Sequence, residues 1–306
     1  MASRPIDPLT VVAAAVAVVA ISSAAPLIAY AAAPALAIAF WRNALATGVL
    51  APAAATGRRR ADLRALVGRR EGAISGLAGA ALALHFGAWV PSAKLTTVAA
   101  ATALVATQPV WQGLIARAQG RSLPWPVWAG IAVAVAGAGL TTGADLAVSA
   151  RAVAGDLLAL VGGLAGAAYT ALGERVRRTT STTAYTTVCY GVCAALLGAV
   201  CLVAGVPLGG FSPSTWLAIA ALVAGAQLLG HSMFNYALRR VPATTVSVLM
   251  LLEVPGAAVI GWLWLRQVPA PAAWPGLALV VAGVATILVA HPRPGRALGD
   301  PRMSPR

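Results

Sequence analysis

Long apolar stretches, separated by short polar segments, run through nearly the whole of this 306-residue chain. Crossing the hydrocarbon core of a bilayer takes about 20 apolar residues in a helix that rises 1.5 Å per residue. Backbone polar groups find no water in lipid, so only helices and closed barrels can span it. These stretches are too long for strands and lack the alternation of a barrel. The sequence therefore predicts an all-α, polytopic membrane protein.

About ten stretches reach spanning length. The composition agrees, because 59% of the residues are hydrophobic and only 10% are charged, which leaves too little charged surface for a soluble protein of this length. The first stretch is long enough to span, so we expect a retained helix and not a cleaved signal peptide. The predicted spans are 10–30, 35–56, 72–91, 95–116, 126–143, 154–173, 183–204, 214–238, 243–264 and 272–290.

The chain also matches itself at an offset of 146 residues without a gap. His85 recurs as His231, and Pro109 recurs as Pro255. Each copy contains five predicted spans, an odd number, so the second copy enters the membrane upside down relative to the first. The sequence therefore predicts two inverted five-helix repeats.

These repeats cover residues 10–143 and 154–290. Residues 291–306 follow them and are rich in Pro, Arg and Gly, which predicts a disordered cytoplasmic tail. Both repeats are expected to fold as one membrane-embedded unit, since each is a transmembrane bundle.

Basic residues indicate the orientation. All but four of the 22 lysines and arginines fall on one side of the predicted spans; Lys94, Arg151 and Arg266 fall on the other, and Arg42 lies within a span. Cytoplasmic loops carry the excess of Lys and Arg, so we expect both termini in the cytoplasm and the protein in the plasma membrane, the inner membrane of a bacterium. The net charge of +14 is split among short loops, which argues against a nucleic-acid partner.

Several function classes are excluded by the residue inventory. The only lysine is Lys94, so the chain has no Gly-Lys-Ser/Thr phosphate loop and cannot itself drive transport with ATP. One deep acid and two separated histidines do not make a catalytic set, and we expect no enzyme activity. Cys189, Cys193 and Cys201 are interpreted as apolar packing residues of the seventh span, so no metal or other cofactor is predicted.

Three short motifs resemble those of the EamA family of the drug/metabolite transporter superfamily. They are AIAFWRNALA around Arg42, TQPVW at Thr107–Trp111 and LLEVPG at Leu251–Gly256. The resemblance covers roughly residues 10–292, and it implies a ten-helix transporter with a cavity lined mainly by the first, third, fourth, sixth, eighth and ninth spans. The family commonly has an acid in the loop before each closing helix. Here those positions are Arg121 and Gln267.

Polar residues at membrane depth are costly and mark candidate pathways. Glu253 lies near the middle of the ninth span, where it could bind a proton or a substrate amine, or could be a packing acid hydrogen-bonded at the unwound turn before Pro255. Arg42 could snorkel to the outer interface or receive a substrate carboxylate. Gln108 is a plausible cavity wall beside Pro109, and Tyr169 is a weaker candidate.

Gln227, His231 and Asn235 are spaced by four and predict one polar stripe on the eighth span, matched by Ala81, His85 and Trp89 on the third. Counted from the span ends, the two histidines lie at opposite depths, as a pair of gates would. The alternative is a satisfied structural hydrogen bond for each. The candidate cavity residues are therefore Arg42, His85, Trp89, Gln108, Tyr169, Gln227, His231, Asn235 and Glu253.

The predicted function is secondary transport. We expect export of small polar metabolites such as amino acids by alternating access, and the alternative is efflux of cationic or lipophilic drugs. The expected partners are a small-molecule substrate, the lipid bilayer and, in a coupled mechanism, protons. The sequence leaves the substrate, the coupling and the oligomeric state open.

The predicted orientation can be tested with fusions. A fluorescent protein joined to the C-terminus should fluoresce, and a phosphatase that is active only outside the cytoplasm should be inactive there, because the basic loops hold that side in the cytoplasm. If the phosphatase fused to the C-terminus were active, the predicted topology would be wrong.

Overall fold

The computed structural model describes residues 7–95, 98–141, 149–266, 271 and 273–290. Within these ranges the chain is helical and contains no strand. The helices of the first half are α1 (Pro8–Ile21), α2 (Ala24–Tyr30), α3 (Ala35–Ala54), α4 (Gly57–Leu66), α5 (Arg70–Leu95), α6 (Val98–Val105), α7 (Gln108–Ala118) and α8 (Trp125–Thr141). Those of the second half are α9 (Ala150–Arg177), α10 (Thr182–Val203), α11 (Pro213–Leu222), a π-helical segment (Val223–His231), α12 (Ser232–Ala237), α13 (Ala243–Met250), α14 (Glu253–Leu265) and α15 (Ala273–Ala290).

The structure is that of a multi-pass membrane protein. Among the described residues, seven helical segments are long and apolar enough to cross a bilayer, and Trp125–Leu140 and Trp274–Val289 are shorter apolar helices. The fourth predicted stretch is also helical but is divided between α6 and α7. The all-α prediction holds for the described residues, whereas the count of ten spans stays a prediction. The proposed tail, 291–306, lies outside the described residues.

Three spans are broken, and a proline follows each break. Pro26 follows the junction of α1 and α2, Pro109 that of α6 and α7, and Pro255 that of α13 and α14. A proline has no N–H for the carbonyl four residues earlier, so the helix opens there. In the first break, Ser22 and Ser23 donate their hydroxyls to preceding carbonyl oxygens, each at 2.7 Å. The three breaks place the starts of α2, α7 and α14 in the interior of the described bundle.

The closing helices of the two halves, α8 and α15, cross in close contact. A Cβ atom on Gly130 would lie 2.9 Å from the carbonyl oxygen of Gly283, and one on Gly137 would lie 2.7 Å from that of Gly276. The helices are antiparallel, since the earlier residue of one meets the later residue of the other. At the offset of 146, Gly276 is the counterpart of Gly130 and Gly283 that of Gly137. The two contacts are therefore one contact repeated by a two-fold axis, as an inverted repeat requires.

The second helices of the two halves, α3 and α10, also pack closely as an antiparallel pair. Phe40 of α3 packs on Gly198 of α10, and Thr47 packs on Gly191, so this pair is antiparallel as well. Between the two antiparallel pairs, α5 packs on α9, and its counterpart is the packing of the π-helical segment on α1. The centre of the molecule is consequently built from both halves, and the broken helices meet there.

The crossing of α8 and α15 generates a stability prediction. Gly137→Ala places a methyl group against the backbone of Gly276, and overpacking of this kind costs about 1–3 kcal/mol. We expect the midpoint of thermal unfolding in detergent to fall by several degrees. Gly139→Ala is the matched control on the same helix, because a Cβ there meets no atom within 4 Å. Equal midpoints for the two variants would contradict the contact.

Candidate functional site

A cavity of about 60 Å³ lies at the centre, between the two halves. It has room for a few water molecules by the usual volume requirement. Its wall includes residues of all three broken spans, of α3 and α5, and His231 at the end of the π-helical segment. The family resemblance implied that the sixth span lines the cavity, but the second span lines it instead. No residue of α9, which is the sixth span, is among the described wall residues. Six of the predicted residues line the cavity: Arg42, His85, Trp89, Gln108, His231 and Glu253.

Arg42 places a buried guanidinium in this site. Its side chain is fully buried, so the expectation that it snorkels to the interface is wrong. The guanidinium carbon lies 3.9 Å from the centre of the Phe86 ring, and Nε donates to Gln227 Oε1 at 2.8 Å. Gln227 in turn donates to Asn43 Oδ1 at 3.1 Å. The two terminal nitrogens of Arg42 have no hydrogen-bond partner in the described part of the chain.

Glu253 supplies the opposite charge. It is the first residue of α14, directly after the break, and it lines the cavity. The N-terminal end of a helix favours a carboxylate because the unbonded N–H groups there carry partial positive charge. Among the described residues, no hydrogen bond or ion pair within 4.0 Å holds this carboxylate. The cavity wall therefore carries a guanidinium with two unpartnered nitrogens and a carboxyl group that no hydrogen bond or ion pair of the described chain holds.

The two histidines lie in one aromatic cluster. Their rings pack on the same residue, Phe86, with centroids 4.8 Å away for His85 and 5.4 Å away for His231. His85 donates from Nδ1 to the carbonyl oxygen of Gly162 at 2.8 Å, since that oxygen can only accept. Both rings therefore belong to one cluster around Phe86, and their role as gates stays a prediction.

The predicted stripe on the eighth span divides among three surroundings. Gln227 bonds Arg42, His231 reaches the cavity, and Asn235 donates to the Tyr169 hydroxyl at 2.5 Å. The reason is the π-helical winding of Val223–His231, because a π turn holds more residues than an α turn and rotates the faces that a spacing of four would align. Tyr169 and Asn235 lie behind His231 and support it from outside the cavity wall.

Trp89 and Gln108 complete the wall on the side of the first half. Gln108 begins α7 and approaches Thr170 Oγ1 at 3.3 Å. Trp89 stacks on His85, with ring centroids 6.0 Å apart, and its indole N–H has no partner in the ranges described. Trp89 also lines a second cavity of about 250 Å³ that extends toward Lys94. It therefore stands between the central cavity and the space on the Lys94 side.

The opposite side is closed by a carboxylate that sequence analysis missed. Glu174 is 6% exposed and accepts from Arg121 at 2.9 Å, from Arg178 at 3.2 Å and from the backbone N–H of Ala243 at 3.2 Å. It thus joins the loop before α8, the end of α9 and the start of α13. The predicted sixth span ended at residue 173, while α9 continues to Arg177. The spacing of Glu174 and Arg178 was the available signal.

Comparison with known proteins establishes the family. The sequence profile described as the EamA-like transporter family matches residues 8–143 and, a second time, residues 153–289. This chain belongs to the EamA-like transporter family. The resemblance in the proline motifs is confirmed, and the EamA family makes the chain a membrane transporter of the drug/metabolite type. Gln267, one of the two positions at which it departs from the family pattern, lies outside the described residues.

Solved structures share the fold of this chain. One of them, described only as "Crystal structure of protein", superposes with a TM-score of 0.76 over 92% of this chain and 97% of that chain, at 21% sequence identity. At this identity the likeness shows the fold alone. No curated protein matches the sequence.

Weakening the bonds of Glu174 should open the Glu174 side of this EamA transporter. Glu174→Gln removes the charge that holds Arg121 and Arg178, and because Arg121 is 37% exposed we discount the effect to about 1 kcal/mol. With the native cysteines replaced, a thiol at Ser247→Cys in the cavity wall should then react about fivefold faster with a soluble maleimide added from the Glu174 side. Glu71→Gln, an acid outside this cluster, is the control. An unchanged rate in the Glu174 variant would contradict a closing role.

Proposed function

We propose that this EamA-family protein exports small zwitterionic metabolites, with amino acids as the leading class, by alternating access across the bacterial inner membrane. One observation carries the proposal. The guanidinium of Arg42, whose terminal nitrogens have no partner in the described chain, and the carboxyl group of Glu253 line the same central cavity.

Charge balance favours a zwitterion over other substrates. A buried ion is stable only with a partner, and a planar guanidinium offers two parallel donors to a carboxylate. The ammonium group of an amino acid then lies on the side of Glu253. A neutral sugar would leave both charges unpartnered, and a lipophilic cation would bring a like charge to Arg42.

Size supports the same choice. A cavity of about 60 Å³ suits a small polar molecule better than a bulky drug. We therefore rank efflux of cationic or lipophilic drugs second.

Alternating access follows from the inverted halves. The central cavity adjoins the space near Lys94, while the Glu174 cluster closes the other side. In the orientation proposed from the basic loops, Lys94 faces outward and Glu174 faces the cytoplasm. Exchange of the two halves' conformations would open the Glu174 side and close the Trp89 side. Ten spans, cytoplasmic termini and the inner membrane belong to this proposal.

Glu253 is also the residue we assign to proton coupling. When the substrate ammonium leaves, a proton is the simplest replacement charge for a carboxylate inside the membrane. With Glu253 protonated, the empty transporter returns to its starting conformation with a neutral acid at its centre.

Substrate analogues test the proposal in proteoliposomes. Wild-type protein should transport alanine, but not alaninamide, which lacks the carboxylate, or N-acetylalanine, which lacks the ammonium group. Arg42→Gln should reduce alanine transport at least tenfold, roughly the effect of losing 1.4 kcal/mol, and should weaken the selection against the amide. Glu253→Gln should weaken the selection against the N-acetyl compound.

Arg117→Gln is the control, since Arg117 is an exposed arginine outside the cavity. Wild-type alanine transport in both cavity variants would remove the zwitterion site. Transport of tetraphenylphosphonium without transport of alanine would favour the drug-efflux alternative.

A further inference from the structure

A separate cavity of about 480 Å³ opens at the protein surface where α3, α10 and α12 meet. It shares no described wall residue with the central cavity. It lies at the ends of α9 and α12, the same end of the bundle as the Glu174 cluster. Neither the proposed transport path nor the family match gives this cavity a role.

Three arginines make the cavity strongly basic. Arg177 is 1% exposed, and it donates from Nε to the carbonyl oxygen of Asn235 at 2.8 Å. Arg239 and Arg240 line the same space from the end of α12. Only Arg240 has an acidic partner among the described residues, Asp7 at 2.6 Å. No Asp or Glu is part of the described wall, so at least two positive charges are uncompensated.

Hydroxyl groups stand beside these arginines. The wall includes Ser181 and three threonines at the start of α10, and Arg177 donates to Thr182 Oγ1 at 2.6 Å. The Ser181 hydroxyl is buried and has no hydrogen-bond partner in the described part of the chain. Arginines with adjoining hydroxyl donors are the usual surroundings of a bound phosphate group.

The remaining wall is mostly apolar. Val49 is 58% exposed, and Leu50, Leu228 and Met233 continue the apolar surface into the cavity. Tyr236 packs under the Arg240 guanidinium, whose carbon lies 5.0 Å from the ring centre. A ligand that fits both walls has an anionic head and a hydrocarbon chain.

We propose that this cavity binds the phosphate headgroup of an anionic phospholipid, whose acyl chain runs along the surface of Val49 and Leu50. The phosphate accepts from Arg177, Arg239 and Ser181. Basic pockets between transmembrane helices on the cytoplasmic side are suited to such headgroups, because the anionic leaflet supplies them locally. The bound lipid would fill the groove between α3 and α12 and neutralise the arginines there.

The test uses the full-length protein in detergent. Dioleoylphosphatidylglycerol should raise the unfolding midpoint and appear as a bound adduct by native mass spectrometry, whereas dioleoylphosphatidylcholine should do neither. The double variant Arg239→Gln/Arg240→Gln should retain at least fivefold less phosphatidylglycerol. Ser181→Ala should retain about twofold less, and it provides an uncharged variant in case the double variant is unstable.

Arg175→Gln is the matched control, because Arg175 is exposed at the same end of α9 but is not part of the cavity wall. It should bind phosphatidylglycerol as the wild type does. Equal loss in the control, equal binding of phosphatidylcholine, or full retention in both cavity variants would overturn the proposal. A shift by glycerol 3-phosphate equal to that of the lipid would also overturn it, since the acyl chain would then contribute nothing.

Discussion

Every backbone polar group in the hydrocarbon of a membrane has to find its partner within the protein, and this requirement shapes the whole molecule. It makes the described chain helical throughout and confines each interruption to a place that lipid cannot reach. The interruptions at Pro26, Pro109 and Pro255 therefore converge on the centre, where the starts of α2, α7 and α14 line a small cavity. Close helix contacts without side chains, as between Gly137 and Gly276, hold the two halves around it.

The centre of the protein and the two sides that enclose it differ in how their polar and charged groups are bonded. At the centre, the two terminal nitrogens of the buried Arg42 have no hydrogen-bond partner among the described residues, which is an expensive state for a protein unless a ligand completes it. On one side Glu174 is fully engaged by Arg121, Arg178 and a backbone N–H, so that closure is stable without substrate. On the other side Trp89 is the barrier, and an indole ring moves with less electrostatic cost than an ion pair.

Sequence analysis predicts the features that depend on local composition. It does not predict the position of a side chain whose partner is distant along the chain. The helices, the inversion and the proline breaks follow from hydropathy and from a repeat, which are visible along the chain. The direction of Arg42 does not, because its partner Gln227 lies 185 residues away on a segment whose π-helical winding has no clear sequence signal. Glu174 was missed because burial by other helices, and not hydropathy, decides where α9 ends.

The two-fold relation between the halves has a consequence for how a ligand is oriented. At the offset of 146, Arg42 corresponds to Val188 and Glu253 to Thr107, so each charge occurs once. A dimer of two identical halves, the arrangement that a gene duplication would have fused, must carry every charge twice or not at all. Fusion into one chain removes that restriction and gives the cavity a head and a tail. A zwitterion held there keeps one direction relative to the membrane normal, although the helices that surround it come from two equivalent halves.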